Sequence, residues 1–173
     1  LFKSNFEIYN SEFNNSLSDA LDADFCTGKI VNTSFYNSGN DAIDISGTNL
    51  FIENLLIDKS LDKALSAGEN SIITGSNIKI INSEIAICSK DLSQINISDS
   101  SLENNRIALT CFQKKSKFGP GLLNISKTSF KDNSIDYLIE LNSICIVDDI
   151  KIPANEGNIK DQFYGIKYGK SSK

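Results

Sequence analysis

Apolar and polar positions alternate along this chain over short stretches, then break at Asn, Asp, Ser or Gly. Segments such as FEIYN (6–10) and AIDIS (42–46) have a period of two and no 3.6-residue face. They predict short, β-branched strands rather than helices. A longer period is laid over the short one. Shifting the sequence by 22 residues aligns Ala20, Ala42, Ala64, Ala86 and Ala108, each followed by Leu or Ile. Further columns fall in step: Ile8, Ile30 and Ile52; Asn10, Asn32 and Asn54; Phe13, Phe35 and Ile57. A fixed period of this size predicts a solenoid in which each repeat is one rung.

The pattern continues with slips. Ile80–Asn82–Ile85, Ile97–Asp99–Leu102, Ile125–Lys127–Phe130 and, more faintly, Ile146–Asp148 extend the Ile–Asn–Phe set. The fold expected is all-β: a single-stranded parallel β-helix of about six to seven coils, roughly 30 Å long at one strand spacing per coil. The Asn column marks a tight bend, because Asn and Asp tolerate the left-handed region best after Gly. Stacked on successive rungs, its amides can bond to one another as a ladder. After Asp149 the pattern stops. Residues 1–150 therefore read as the β-helix and 151–173 as a C-terminal cap and tail. Ile159–Tyr168 is expected to lie over the open end, with a loose GKSSK terminus.

Two coils read as lengthened, each by about six residues. One extension lies in GENSIITGSN (68–77), between Ala67 and Ile80. The other lies in FQKKSKFGPG (112–121), between Cys111 and Ile125. Insertions in solenoids often collect on a binding face.

Composition narrows the chemistry. The chain has 173 residues, 40% of them hydrophobic, and a net charge of -5. That balance weighs against a nucleic-acid partner, which calls for a basic face. No apolar run is long enough for a membrane span. The absence of His removes Ser-His-Asp and Cys-His catalysis and makes a zinc or haem site improbable. Cys26, Cys88, Cys111 and Cys145 lack metal-ligand spacing and read as buried free thiols. Asn14, Asn32, Asn96 and Asn124 sit in glycosylation sequons that an Asn-rich bend generates by chance. The first residues carry no signal-peptide layout and enter in mid-repeat, so a longer polypeptide is expected.

The Ala-plus-aliphatic strand, the Asn bend and the NxSF/NSEI-type strand resemble the PbH1 repeats of right-handed parallel β-helices, the pectin-lyase-like superfamily, over about residues 6–150. The GENS (68–71), SKDLS (89–93) and FQKK (112–115) stretches are also similar to bacterial surface β-helix regions, some attached to larger CotH-type proteins. The resemblance implies a right-handed coil and an extracellular or cell-surface setting.

Alternation turns Leu21, Ala23, Ile43, Ile45, Leu65, Ala67, Leu109 and Cys111 inward. It turns the alanine column outward, with Asp22, Asp44, Ser66, Cys88 and Thr110, then Asp24, Ser46, Gly68, Lys90 and Phe112. A solvent face of alanines leaves room for a flat ligand. Asp19, Asp22, Asp24, Asp41 and Asp44 load its first rungs with acid, and stacked carboxylates repel unless neutralised. Two outcomes follow: Ca²⁺ held by Asp22, Asp24 and Asp44, or pairing with Lys63 and Lys90. The 112–118 segment adds Phe112, Lys114 and Lys115, a set suited to an acidic sugar. In the family resembled, lyases use bound Ca²⁺ and a Lys or Arg base, and hydrolases use paired acids. The candidates in register are Lys63 and Lys90 for the base, and Asp44 with Asp22 and Asp24 for an acid cluster; Arg106 lies off this face, and no family catalytic motif maps residue by residue. The function expected is a non-catalytic surface module that binds carbohydrate or serves as a stalk. The alternative is a Ca²⁺-dependent polysaccharide lyase or glycan hydrolase acting on acidic polysaccharide.

Overall fold

The computed structural model describes residues 1–164. It is a parallel β-solenoid of about six turns. Six strands stack into one sheet: Leu21–Asp24, Ile43–Ser46, Lys63–Gly68, Ile85–Lys90, Ile107–Phe112 and Ile135–Ile139. The remaining strands form a sheet of eleven. Its long members, Thr27–Ser38, Asn49–Ser60 and Ile72–Ile81, each bend partway along. Among the described residues all pairing within the stack is parallel, and only the short strand Ile150–Lys151 runs antiparallel, on Ile144–Val147.

Each rung turns at three corners, and each corner holds a residue of positive φ. The first is Asn10, Asn32, Asn54, Asn77, Asp99 and Lys127; the second is Asn15, Asn37, Lys59, Asn82, Asn104 and Asp132. The third includes Phe25, Gly47 (φ 59) and Asn70. An L-residue pays for this conformation, which is why Asn and Asp dominate the first two corners. At Gly47 the space is taken as well: an added Cβ would lie 2.7 Å from the Phe25 ring.

The Asn ladder forms, with a different fourth member from the one expected. Asn32 donates to Asn10 (3.2 Å), Asn54 to Asn32 (2.6 Å) and Asn77 to Asn54 (3.1 Å). Asn82 instead belongs to the second corner, donating to Asp58 (2.8 Å) and accepting from Asn104 (2.6 Å). Ile80 follows Ile57, and Ile85 follows Lys63, so Ile80–Asn82–Ile85 is not a copy of Ile8–Asn10–Phe13. Gly75 takes the place after Ile52. At the far end, Val147 rather than Ile146 continues Ile125. The Ile97 and Leu102 positions, and those of Ile125 and Phe130, stand where the repeat put them.

The slip explains one overestimated insertion. Asn49 pairs with Ile72, an offset of 23, where Ser46 pairs with Gly68, an offset of 22. That rung gains one residue, at the Glu69–Asn70 corner, and most of GENSIITGSN is strand. The second insertion is real: Lys90 pairs with Phe112 at 22 and Gln94 with Leu122 at 28, so six residues are added between them.

The core runs the length of the stack and includes Ala42, Ala64, Ala86 and Ala108, each 0% exposed. The alanine column therefore points inward, contrary to the alternation. It sits at the entry to the strand, where the bend interrupts the period of two, and a small side chain fits beside the next residue's Leu or Ile. A buried oxygen ladder also lines a corner. Thr48 Oγ1 accepts from the Cys26 amide (2.9 Å), Ser71 Oγ from the Thr48 amide (3.0 Å) and Ser93 Oγ from the Ser71 amide (3.1 Å). Each satisfies a backbone N–H that no strand partner reaches.

The C-terminal end is closed by residues 150–158, which double back over the last rung. Ile152 donates to the Cys145 carbonyl, and Asn155 bonds to both Ile139 and Tyr137. The helix α1 (Ile159–Tyr164) does not cover that end. It packs along the side of the six-stranded sheet, with Ile159 buried and Phe163 and Tyr164 beside Phe112. The expected cap residues 165–168 and the GKSSK terminus lie outside the described residues.

Candidate functional site

The outer face of the six-stranded sheet carries the residues singled out from sequence. Its columns are Asp19, Asp41, Lys63, Ile85 and Ile107; Asp22, Asp44, Ser66, Cys88 and Thr110; and Asp24, Ser46, Gly68, Lys90 and Phe112. Three zones result. The first rung is acidic and open. The middle rungs hold buried charges. The last rungs are apolar, with Ile85, Cys88, Ile107, Phe112 and Leu138 forming a second core under α1.

In the middle zone the acids pair with lysines. Lys63 Nζ lies 2.6 Å from Asp62 and 3.5 Å from Asp41. Lys90 Nζ lies 3.5 Å from Asp44 and donates to Ser66 Oγ. Burial opposes the Lys63 charge, but Asp41, Tyr164 and Asp62 outweigh it and hold its pKa well above the lysine range. Burial opposes Lys90 in the same way, and Asp44 raises it. Asp44 itself is lowered: Lys90 and the Ser66 hydroxyl overcome its burial. Burial pushes Asp41 up to about 6 despite Lys63. Burial also pushes the Cys88 thiol up to about 11 and the Tyr164 phenol up to about 12. A lysine acting as a general base needs a lowered pKa. Lys63 and Lys90 move the other way, and both are buried.

The 112–118 segment is sewn down. Phe112 is 0% exposed, covered by Phe163 at 5.6 Å between ring centroids. Asp91 accepts from the Lys114 and Lys115 amides, both at 2.7 Å. Glu140 spans the loop and the helix, accepting from the Gln113 amide (2.8 Å) and the Ile159 amide (3.0 Å). Lys115 pairs with Glu69. Lys114 Nζ sits 4.4 Å from the Tyr164 ring centroid, and burial together with Lys90 and Lys63 lowers its pKa.

In the open zone, Asp22 is raised by partial burial and then by Asp24, Asp44 and Asp19. Among the described residues no three potential ligands are gathered to hold a metal, and of the two outcomes Asp44 takes the pairing, with Lys90. The four thiols are buried and free, as the sequence indicated.

A second surface went unnoticed in the sequence. Outward positions of the eleven-stranded sheet stack Glu7, Lys29, Phe51, Thr74, Asn96 and Asn124 in one column. Lys29 Nζ lies 5.7 Å from the Tyr9 ring centroid and 5.4 Å from that of Phe51. Both rings stay open, Tyr9 at 43% and Phe51 at 39% exposed. The 22-residue offset from Glu7 to Lys29 to Phe51 runs one place before the Ile8 column, but its members change type from rung to rung, so no column of like residues marks it.

Among the described residues no helix is long and apolar enough to cross a membrane. Comparison with family models, with characterised proteins and with solved structures finds no match.

Proposed function

We propose that this chain is a non-catalytic, carbohydrate-binding β-helix module of an extracellular or cell-surface protein. It is similar in its repeat to the right-handed, pectin-lyase-like helices and to the surface β-helices of CotH-type proteins. The observation that carries the reading is the contrast between the two outer faces. On the six-stranded sheet, the groups an enzyme would need are ion-paired and lie beneath α1 and the 112–118 segment. On the eleven-stranded sheet, amide, hydroxyl and aromatic side chains line an open face. Sugars are bound through that mixture, with hydroxyls meeting amides and carboxylates and C–H faces meeting aromatic rings. Lysine bases with raised pKa values speak against the lyase alternative.

A glycan array probed with the whole chain tests the reading. Binding to a defined set of glycans, with no cleavage product from them, is the expected result. Release of product from any of them overturns the non-catalytic claim. Failure to bind across a broad panel overturns the carbohydrate claim and leaves a structural stalk.

A further inference from the structure

Resting on that carbohydrate reading, we propose that the Lys29 cluster is the binding site and that it takes a neutral pyranose rather than an acidic one. Lys29 stands between two exposed rings, Tyr9 one rung before it and Phe51 one rung after. A cation between aromatics is attractive on its own. It leaves two apolar edges beside one strong donor. Glu7 flanks the donor in the same column and accepts from the Tyr9 hydroxyl at 3.1 Å. Donor and acceptor project from adjacent rungs, whose backbones are one strand spacing apart, ~4.8 Å, so that one sugar ring can meet both.

A cleft adjoins the cluster and shares Glu7 and Lys29 with it. It has a volume of about 250 Å³ and is lined by Asn5, Phe6, Glu7, Thr27, Gly28 and Lys29. Drug-sized pockets run to ~300–1,000 Å³, so this cleft suits one sugar ring at the head of a glycan lying on the sheet. Beneath the cleft, the buried Gly28 leaves room for the Phe6 ring, which packs on the core. A Cβ there would fall 2.1 Å from the Phe6 ring, so only glycine lets that ring lie against this strand.

Charge selects the ligand. Glu7 adjoins Lys29 in the same column, and Glu53 stands in the neighbouring column of Tyr9 and Val31, one rung beyond Lys29. One ammonium against two carboxylates leaves the patch negative, within a chain of net charge -5. A uronate or sulfate would meet repulsion there; uncharged hydroxyls would not.

Calorimetric titration with neutral and uronic oligosaccharides of equal length tests the site. Wild type should bind the neutral series. Lys29→Ala, Phe51→Ala and Glu7→Gln should each weaken binding about tenfold or more, the equivalent of ~1.4 kcal/mol. Lys115→Ala, on the opposite sheet, should leave it unchanged. Because Glu7 and Phe51 are exposed and Lys29 is only half-buried, unaltered thermal midpoints will show that the variants fold. Neutral binding that survives all three substitutions overturns the site while the carbohydrate reading stands. Exclusive binding of uronates overturns the neutral assignment. Binding of neither series overturns the carbohydrate reading and this site with it.

Discussion

Lys63 extends back along the stack so that one ammonium meets Asp62 at 2.6 Å and Asp41, on the preceding rung, at 3.5 Å. Removing that ammonium takes from the buried Asp41 its strongest counter-charge. Breaking a buried pair on one side costs about 3–5 kcal/mol. Lys63→Ala should therefore lower the stability of the chain by about that much, read from the urea midpoint. A loss below ~1 kcal/mol would place the pair in the class of exposed ion pairs.

The same cluster sets a pH dependence. Asp41, pushed up to about 6 against 3.8 for the free carboxyl, is protonated in the folded chain where the unfolded one is ionised. The folded state thus holds more protons between about 4 and 6, and stability rises as pH falls through that window. Asp44 is lowered, so its contribution is present above its ordinary value and is lost in stronger acid. Lys63 and Lys90 are raised, so theirs is complete below 10.5 and lost at more alkaline pH. The thermal midpoint should climb from pH 7 towards 4, and Asp41→Asn should flatten that climb.

The Asn corner separates conformation from hydrogen bonding. Asn54 both accepts from Asn77 and donates to Asn32. Asn54→Gly keeps the left-handed bend and loses the ladder; Asn54→Ala loses both. The bend costs an L-residue about 1–2 kcal/mol, so Ala should be less stable than Gly by roughly that amount in denaturant unfolding. Equal losses would mean that the ladder alone matters.

Thr48 carries a heavier hydrogen bond because it is buried. Thr48→Val keeps the shape but leaves the Cys26 amide without its acceptor. An unsatisfied buried donor costs about 1–3 kcal/mol. Hydrogen exchange at the Cys26 amide should accelerate in the variant, a readout that simple loosening of the whole fold would spread evenly over the core.

The sequence carried the solenoid because its signal is repeated: Ile8, Ile30 and Ile52 state the same fact at the same offset. It misled where a single residue was added. Beside it, Gly75 takes the place of an aliphatic after Ile52, so Ile80 and Asn82 pass for Gly75 and Asn77, five places out, and a strand becomes a supposed loop. Alternation failed at Ala42 because a corner resets which way side chains point. The neutralisation of Asp41 and Asp44 by Lys63 and Lys90 was legible as one of two outcomes. The burial of Phe112 was not: no rule of period relates it to Phe163, 51 positions later, which covers it.

That covering helix changes how the chain should come apart. A stack of rungs touches only its neighbours, and such arrays can melt piecemeal from an end. Here α1 touches Phe112 in one rung while Tyr164 faces Lys63 two rungs earlier, with Ile85 and Cys88 in the rung between. Rungs that share no strand pairing are held by one strap. Residues 63–112 should therefore unfold as a single unit, while Asn5–Asp24, beyond its reach, frays first.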